Sequence, residues 1–306
     1  MDTVIITGGT GLIGTALSKF LESRGFTVII FSRNPKLYRS NSPGISYAAW
    51  NIEKQSVNEE SIRKAKYIVN LAGAGVADKP WTEKRKMEIR ESRTRGGDLI
   101  VKALTQIPNE IESVVSASAI GWYKQNLLHA AEETDLPASD FLGETCQAWE
   151  NSIRPVAALG KRLVILRTGI VLTNEGGAFP AFARPVRYGI AGILGDGKQV
   201  ISWIHIEDLC RIYMEAMTNP SWSGIYNAVS PNPVSNRNFT TELAKKMKGN
   251  FFLTVPVPNF VLRMMMGERR VEVLKSSNVS ANKLKQQGFQ FIYPTVDAAF
   301  RDLTEY

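Results

Sequence analysis

At 306 residues, with 44% apolar and 22% charged side chains, the chain has the composition of a globular protein built from one large domain and a smaller lobe. No stretch approaches the roughly 18 uninterrupted apolar residues of a membrane span, and no basic-then-apolar leader opens the chain, so a cytoplasmic protein is expected. The net charge of +8 comes from basic residues interleaved with glutamate, as in Glu83-Lys84-Arg85-Lys86. That pattern reads as solvated helix surface rather than a nucleic-acid footprint, and an anionic cofactor and substrate account for the charge equally well.

The chain begins with a strand-like run, Thr3–Thr7, that falls into Thr7-Gly8-Gly9-Thr10-Gly11-Leu12-Ile13-Gly14 and then into a periodic helix over Leu12–Arg24. Strand, glycine turn and helix N-terminus together suit a dinucleotide diphosphate. The backbone can approach the phosphates without a Cβ, and the helix presents free N–H groups and its positive dipole end. Further strands are expected at Thr27–Ser32, Ile45–Trp50, Tyr67–Ala72, Ser113–Ala117 and Arg162–Thr168. Helices are expected at Glu59–Lys64, Thr82–Thr105 and Asp140–Leu159. Such alternation predicts a Rossmann-type, doubly wound parallel α/β sheet with ligand beyond the carboxyl ends of its strands.

After Thr168 the pattern loosens into Asn174–Gly197, which reads as a long substrate-covering loop. A helix over Glu207–Met217 and a strand over Ile225–Ala228 follow, with later helices at Asn238–Met247, Asn259–Met266, Ala281–Gln287 and Asp297–Leu303. The expected division is a nucleotide-binding domain over 1–172, to which 201–230 returns, and a substrate loop with a smaller C-terminal α/β lobe over 173–306. Cys146 and Cys210 have neither metal spacing nor a disulfide framework, so both are expected as buried thiols and no metal is expected.

The second strand ends in Ser32-Arg33-Asn34. An NAD-specific site would place a carboxylate there for the ribose 2′-hydroxyl, whereas a guanidinium suits a 2′-phosphate, with Lys36 and Arg39 adding positive potential nearby. The expected cofactor is NADP(H). The residues expected to hold it are Gly8, Thr10, Gly11, Leu12, Ile13, Gly14, Ser32, Arg33, Leu71, Ala72, Gly73 and Ser116.

The glycine turn, Asn70-Leu71-Ala72-Gly73, Ser116-Ala117-Ser118-Ala119, Leu166-Arg167 and His205-Ile206-Glu207-Asp208 occur in this order. The chain thereby resembles the extended short-chain dehydrogenases, the NAD(P)-dependent epimerase/dehydratase superfamily. Trp81-Thr82, Phe141-Leu142, Cys146-Gln147-Ala148-Trp149-Glu150 and Tyr293-Pro294 are similar to the epimerase family branch with a C-terminal domain of unknown function. The resemblance implies a Tyr-x-x-x-Lys pair in which lysine lowers the pKa of the phenol, but no tyrosine here has lysine four residues on. Family spacing puts Phe141 and Thr145 at those places.

Ser118 matches the active-site hydroxyl of the superfamily, and Tyr123 lies just beyond it; these two are the catalytic candidates. Asp140 and Glu144 could offer a carboxylate, although Asp140 is equally placed to cap its helix. His205 and Asp208 read as a structural pair at a helix entry. Arg184, Arg187 and Lys198 would suit an anionic group. The methionine-rich stripe Phe260–Met266 reads as core packing. Two functions remain: an NADP(H)-dependent oxidoreductase or epimerase-like enzyme with a small anionic or sugar-like substrate, or an NADP(H)-binding sensor without turnover. Either could act as a monomer or a homodimer.

Overall fold

The computed structural model describes the chain except residues 39, 41, 270, 272, 273 and 306 and the side chains of 126–128, 265, 266 and 269. Arg39 and part of the methionine stripe therefore lie outside the described residues.

The centre is an eight-stranded sheet. Its strands are β1 (Thr3–Thr7), β2 (Thr27–Ser32), β3 (Ile45–Asn51), β4 (Ser56–Val57), β5 (Tyr67–Asn70), β6 (Ser113–Ala119), β8 (Arg162–Thr168) and β13 (Gly224–Ala228). They lie in the order β13-β8-β6-β5-β1-β2-β3-β4, parallel except for β4. The short strands β7 (Asn126–Ala131), β9 (Ile170–Leu172), β10 (Ile190–Leu194), β11 (Val200–Ile201), β12 (Trp203–His205), β14 (Val234–Ser235), β15 (Leu253–Val257) and β16 (Ser277–Val279) form two-stranded pairs.

Helices α1 (Leu12–Ser23) and α7 (Ile206–Thr218) cover one face of the sheet. Helices α2 (Glu59–Lys64), α3 (Glu83–Gln106), α4 (Phe141–Ile153) and α5 (Pro155–Ala158) belong to the other. The strands read as continuous apolar runs because both faces are covered: Val4, Ile6 and Val28 enter the first core, Ile5, Ile29 and Ile68 the second. The single helix expected over Asp140–Leu159 is two helices, since Pro155 has no N–H to continue the ladder of α4.

The expected loop over Asn174–Gly197 is instead α6 (Ala178–Arg187) and β10. Phe179, Ala183 and Val186 form one buried stripe, packed with Phe239 of α8 (Asn236–Lys248) and Phe300 of the C-terminal helix Val296–Thr304. This separate core anchors the C-terminal lobe. Its Gly176–Gly177 turn approaches Leu12, since a Cβ on Gly177 would lie 3.1 Å from a Leu12 methyl carbon. Helix α9 (Asn259–Met266) leaves Phe260 and Met264 exposed but buries Leu262. Cys146 and Cys210 are free and buried, and burial pushes their thiols up to about 11 and about 12. Among the described residues, no helix is long and apolar enough to cross a membrane.

Candidate active site

The glycine turn is shaped by contacts that exclude side chains. Gly8 has φ +69, and a Cβ there would lie 2.8 Å from the Leu71 carbonyl. A Cβ on Gly14 would collide with the Gly8 carbonyl oxygen and come within 2.6 Å of Gly9 Cα. Gly9, not singled out from the sequence, is needed as well, because its Cβ would lie 2.7 Å from the Ile30 side chain on β2. The α1 N-cap is Gly11, whose N–H donates to Gly8 O at 3.0 Å, and no side chain caps this helix. The next first-turn amides lack a side-chain acceptor, which suits them to an anionic oxygen.

A buried hydrogen-bond chain aligns the strand ends below the turn. Thr7 Oγ1 donates to Asn70 Oδ1 at 2.8 Å, Asn70 Nδ2 donates to Ser116 Oγ at 3.1 Å, and Ala72 N–H donates to Thr7 Oγ1 at 3.2 Å. Ser116 is thus fully buried within the support, whereas Gly73, Thr10 and Gly11 are exposed and Leu12, Ile13 and Leu71 are half-buried. Ser32 is buried and accepts from Asn34 N–H at 3.2 Å. Arg33 beside it is exposed, with no carboxylate paired to it among the described residues. The site thus offers a glycine cradle, an uncapped helix end and a solvent-facing guanidinium, a donor set that fits a phosphorylated dinucleotide.

Beyond β6 the polar groups face one another. Ser118 Oγ donates to Glu150 Oε1 at 2.8 Å. Glu150 also receives Arg167 Nε at 2.8 Å and Nη2 at 3.0 Å, a two-point pair of buried charges. Arg167 Nη1 donates to Tyr123 Oη at 2.9 Å, and Tyr123 Oη donates to Asn227 Oδ1 at 2.6 Å. The Trp122 ring lies 3.7 Å from the guanidinium carbon. Burial pushes the Tyr123 phenol up to about 12, only partly offset by Arg167, so it holds its proton at neutral pH. The two catalytic candidates are therefore brought together, but through Arg167 and Glu150 in a closed network. Glu150 carried a sequence signal: it is a carboxylate on the apolar face shared by Cys146, Trp149 and Ile153.

Other candidates have local roles. Asp140 caps α4 by accepting from Gly143 N–H at 2.9 Å and pairs with Lys275 at 3.1 Å. With Gln125, Val271 and Leu274, these two residues line a cavity of about 210 Å³ between the α4 entrance and the C-terminal segment. Lys86–Glu268, at 2.9 Å, pins the same segment to α3. Arg184, Arg187 and Lys198 are exposed. His205 caps α7 through Nδ1, which accepts from Glu207 N–H at 3.3 Å. Its charged neighbour is Asp302, at 3.2 Å from Nε2 but out of hydrogen-bond alignment, and not Asp208. Asp208 instead accepts the N–H groups of Ile292 and Tyr293, each at 2.9 Å. Among the described residues, no three His, Cys, Asp or Glu side chains converge to hold a metal ion.

Residues 4–228 match the NAD dependent epimerase/dehydratase family, and residues 257–303 match a domain of unknown function, DUF1731. The chain belongs to the NAD dependent epimerase/dehydratase family. An epimerase family protein of Staphylococcus haemolyticus is 33% identical over 306 residues, spanning all of both chains. A chloroplastic SDR39U1 homolog of Arabidopsis thaliana is 31% identical over 99% of this chain and 87% of its own. Among solved structures, human epimerase family protein SDR39U1 with NADPH superposes with a TM-score of 0.87 at 28% identity, covering 99% of each chain. A nucleoside-diphosphate sugar epimerase from Corynebacterium glutamicum gives a TM-score of 0.78 at 29% identity, over all of this chain and 58% of that one.

Proposed function

We propose that this family member is an NADP(H)-binding oxidoreductase, or a nucleotide-sugar-epimerase-like enzyme, whose proton handling does not run through a Tyr-x-x-x-Lys pair. Arg33 carries the cofactor preference. It is exposed at the carboxyl end of β2, one strand from the uncapped α1 terminus, where an NAD-specific site needs a carboxylate. The NADPH in the human relative's structure supports the same reading. Gly8–Gly14 would hold the diphosphate, Arg33 the 2′-phosphate, and Leu71–Gly73 would flank the remainder. When bound, the cofactor would supply or accept a hydride. The substrate we infer is small and anionic or sugar-like, met by the cavity beside Lys275, in a cytoplasmic monomer or homodimer with no nucleic-acid partner.

A titration of NADPH against NADH tests this reading. Arg33→Asp should weaken NADPH by roughly 10- to 100-fold, the worth of a charge-assisted hydrogen-bonded pair, and should not weaken NADH comparably. Preference for NADH in the unaltered protein would overturn it. A second reading, a sensor that binds NADP(H) without turnover, draws on the Ser118 proton being committed to Glu150 and on the raised Tyr123 phenol. An NADPH-oxidation screen over carbonyl compounds and nucleotide sugars separates the two. Turnover lost in Ser118→Ala supports the enzyme, and tight binding with no turnover supports the sensor.

A further inference from the structure

One seam of the molecule retains unspent polar groups. Thr145 Oγ1 and Trp149 Nε1 are buried and have no hydrogen-bond partner, although the two residues are only 4% and 6% exposed. They lie one turn apart on α4, on the side packed against α3. There the Arg93 guanidinium lies 4.9 Å from the Trp149 ring, and its Nη1 donates to Ala74 O at 3.0 Å and Ile89 O at 2.9 Å. A Cβ on Gly73 would lie 3.0 Å from Arg93 Cζ, so the loop leaving β5 is pressed against this seam. Orphaned buried donors are costly and uncommon, and two on one face of a helix next to a strand-end loop call for a ligand.

Sheet order indicates which ligand. With β6-β5-β1-β2 adjacent, a dinucleotide gripped at the end of β1 with its adenosine phosphate at the end of β2 must lay its other half over β5 and β6. We propose that Thr145 and Trp149 bind that nicotinamide-ribose half through a neutral hydroxyl and an indole N–H, beside the Gly73–Ala74 backbone held by Arg93. An uncharged donor pair then does at this seam what a cation would otherwise do, holding hydroxyl and carboxamide oxygens by direct hydrogen bonds. This inference rests on the NADP(H) reading above.

The test compares two probes, NADPH and 2′,5′-ADP, which carries the adenosine phosphates but no nicotinamide. Thr145→Val and Trp149→Phe each delete one donor with little change of shape. Each should weaken NADPH by about three- to ten-fold, one hydrogen bond's worth, and leave 2′,5′-ADP affinity unchanged. Because Thr145→Val removes an unsatisfied hydroxyl, the ligand-free variant should unfold at the same temperature as the unaltered protein or higher. A merely structural hydroxyl would give the opposite sign. Unchanged NADPH affinity, equal loss for both probes, or a lowered ligand-free midpoint in Thr145→Val would overturn the assignment. If the unaltered protein binds 2′,5′-ADP and NADPH equally well, the seam contributes nothing and the proposal falls while the cofactor reading stands. If it binds neither, the cofactor reading falls and takes this one with it.

Discussion

The two strand-end regions on either side of β5 are built from opposite uses of polar groups. At β1 and β2, the glycine turn and Arg33 present donors that nothing else in the described protein consumes. At β6 and β8, Ser118, Tyr123, Arg167, Glu150 and Asn227 satisfy one another in the interior. A site kept open for a ligand leaves hydrogen bonds to be made, whereas a closed network rigidifies the framework and leaves little for a substrate to engage. The contrast places recognition at the first region and support at the second.

Arg167→Met is the most severe way to break the comparison. It leaves the Glu150 carboxylate buried without its cation, which costs about 3–5 kcal/mol. Chemical denaturation should register most of that loss, and the double variant Glu150→Leu/Arg167→Met should recover much of it. If the double variant refolds and still binds NADPH like the unaltered protein, the network is support. A loss of NADPH binding in a stable double variant would move it into the recognition site.

Gly14→Ala strikes the open region and should cost less stability, about 1–3 kcal/mol for the forced shift of Gly8 and Gly9. Its effect on NADPH binding should be the greater one, because the displaced backbone is the surface that meets the diphosphate. Titration and thermal unfolding on the same preparation check both halves. Normal NADPH affinity in a folded Gly14→Ala protein would remove the glycine turn from the site.

The open region was legible in the sequence and the closed one was not, for a physical reason. Glycine turns, strand ends and helix caps are local: Gly8–Gly14, Arg33 and the Asp140 cap each follow from a few consecutive residues. The β1–β6 strands announced themselves because apolar burial on both faces leaves continuous runs. The Glu150–Arg167 pair joins a helix to a later strand, and nothing local to either residue names its partner. Helix α6 was hidden by Pro180, Pro185 and the flanking glycines, although Phe179, Ala183 and Val186 already carried the helical spacing. The strands of the C-terminal lobe, down to two residues long, are defined by distant partners such as Val200 with Ser235. His205 was assigned to Asp208 by proximity in sequence, whereas the fold brings Asp302 to it from the C-terminal helix.

That last contact gives the smallest predicted effect. The His205 imidazole is buried under the Tyr293 ring, with centroids 3.8 Å apart, and burial holds its pKa below the ordinary histidine value despite Asp302, Asp208 and Glu207 nearby. The folded protein therefore binds this proton less readily than the unfolded chain does. The neutral ring's contribution to stability is complete above about pH 6.5 and is lost as pH falls through the lower folded value. His205→Asn keeps an oxygen that can cap Glu207 N–H but removes the titration. The difference in unfolding midpoint between the unaltered protein and His205→Asn should be flat from pH 8 to about 6.5 and then shift against the unaltered protein below it. A difference that stays constant across the range would mean that Asp302 offsets the burial of the ring, so that the C-terminal helix is held by packing alone.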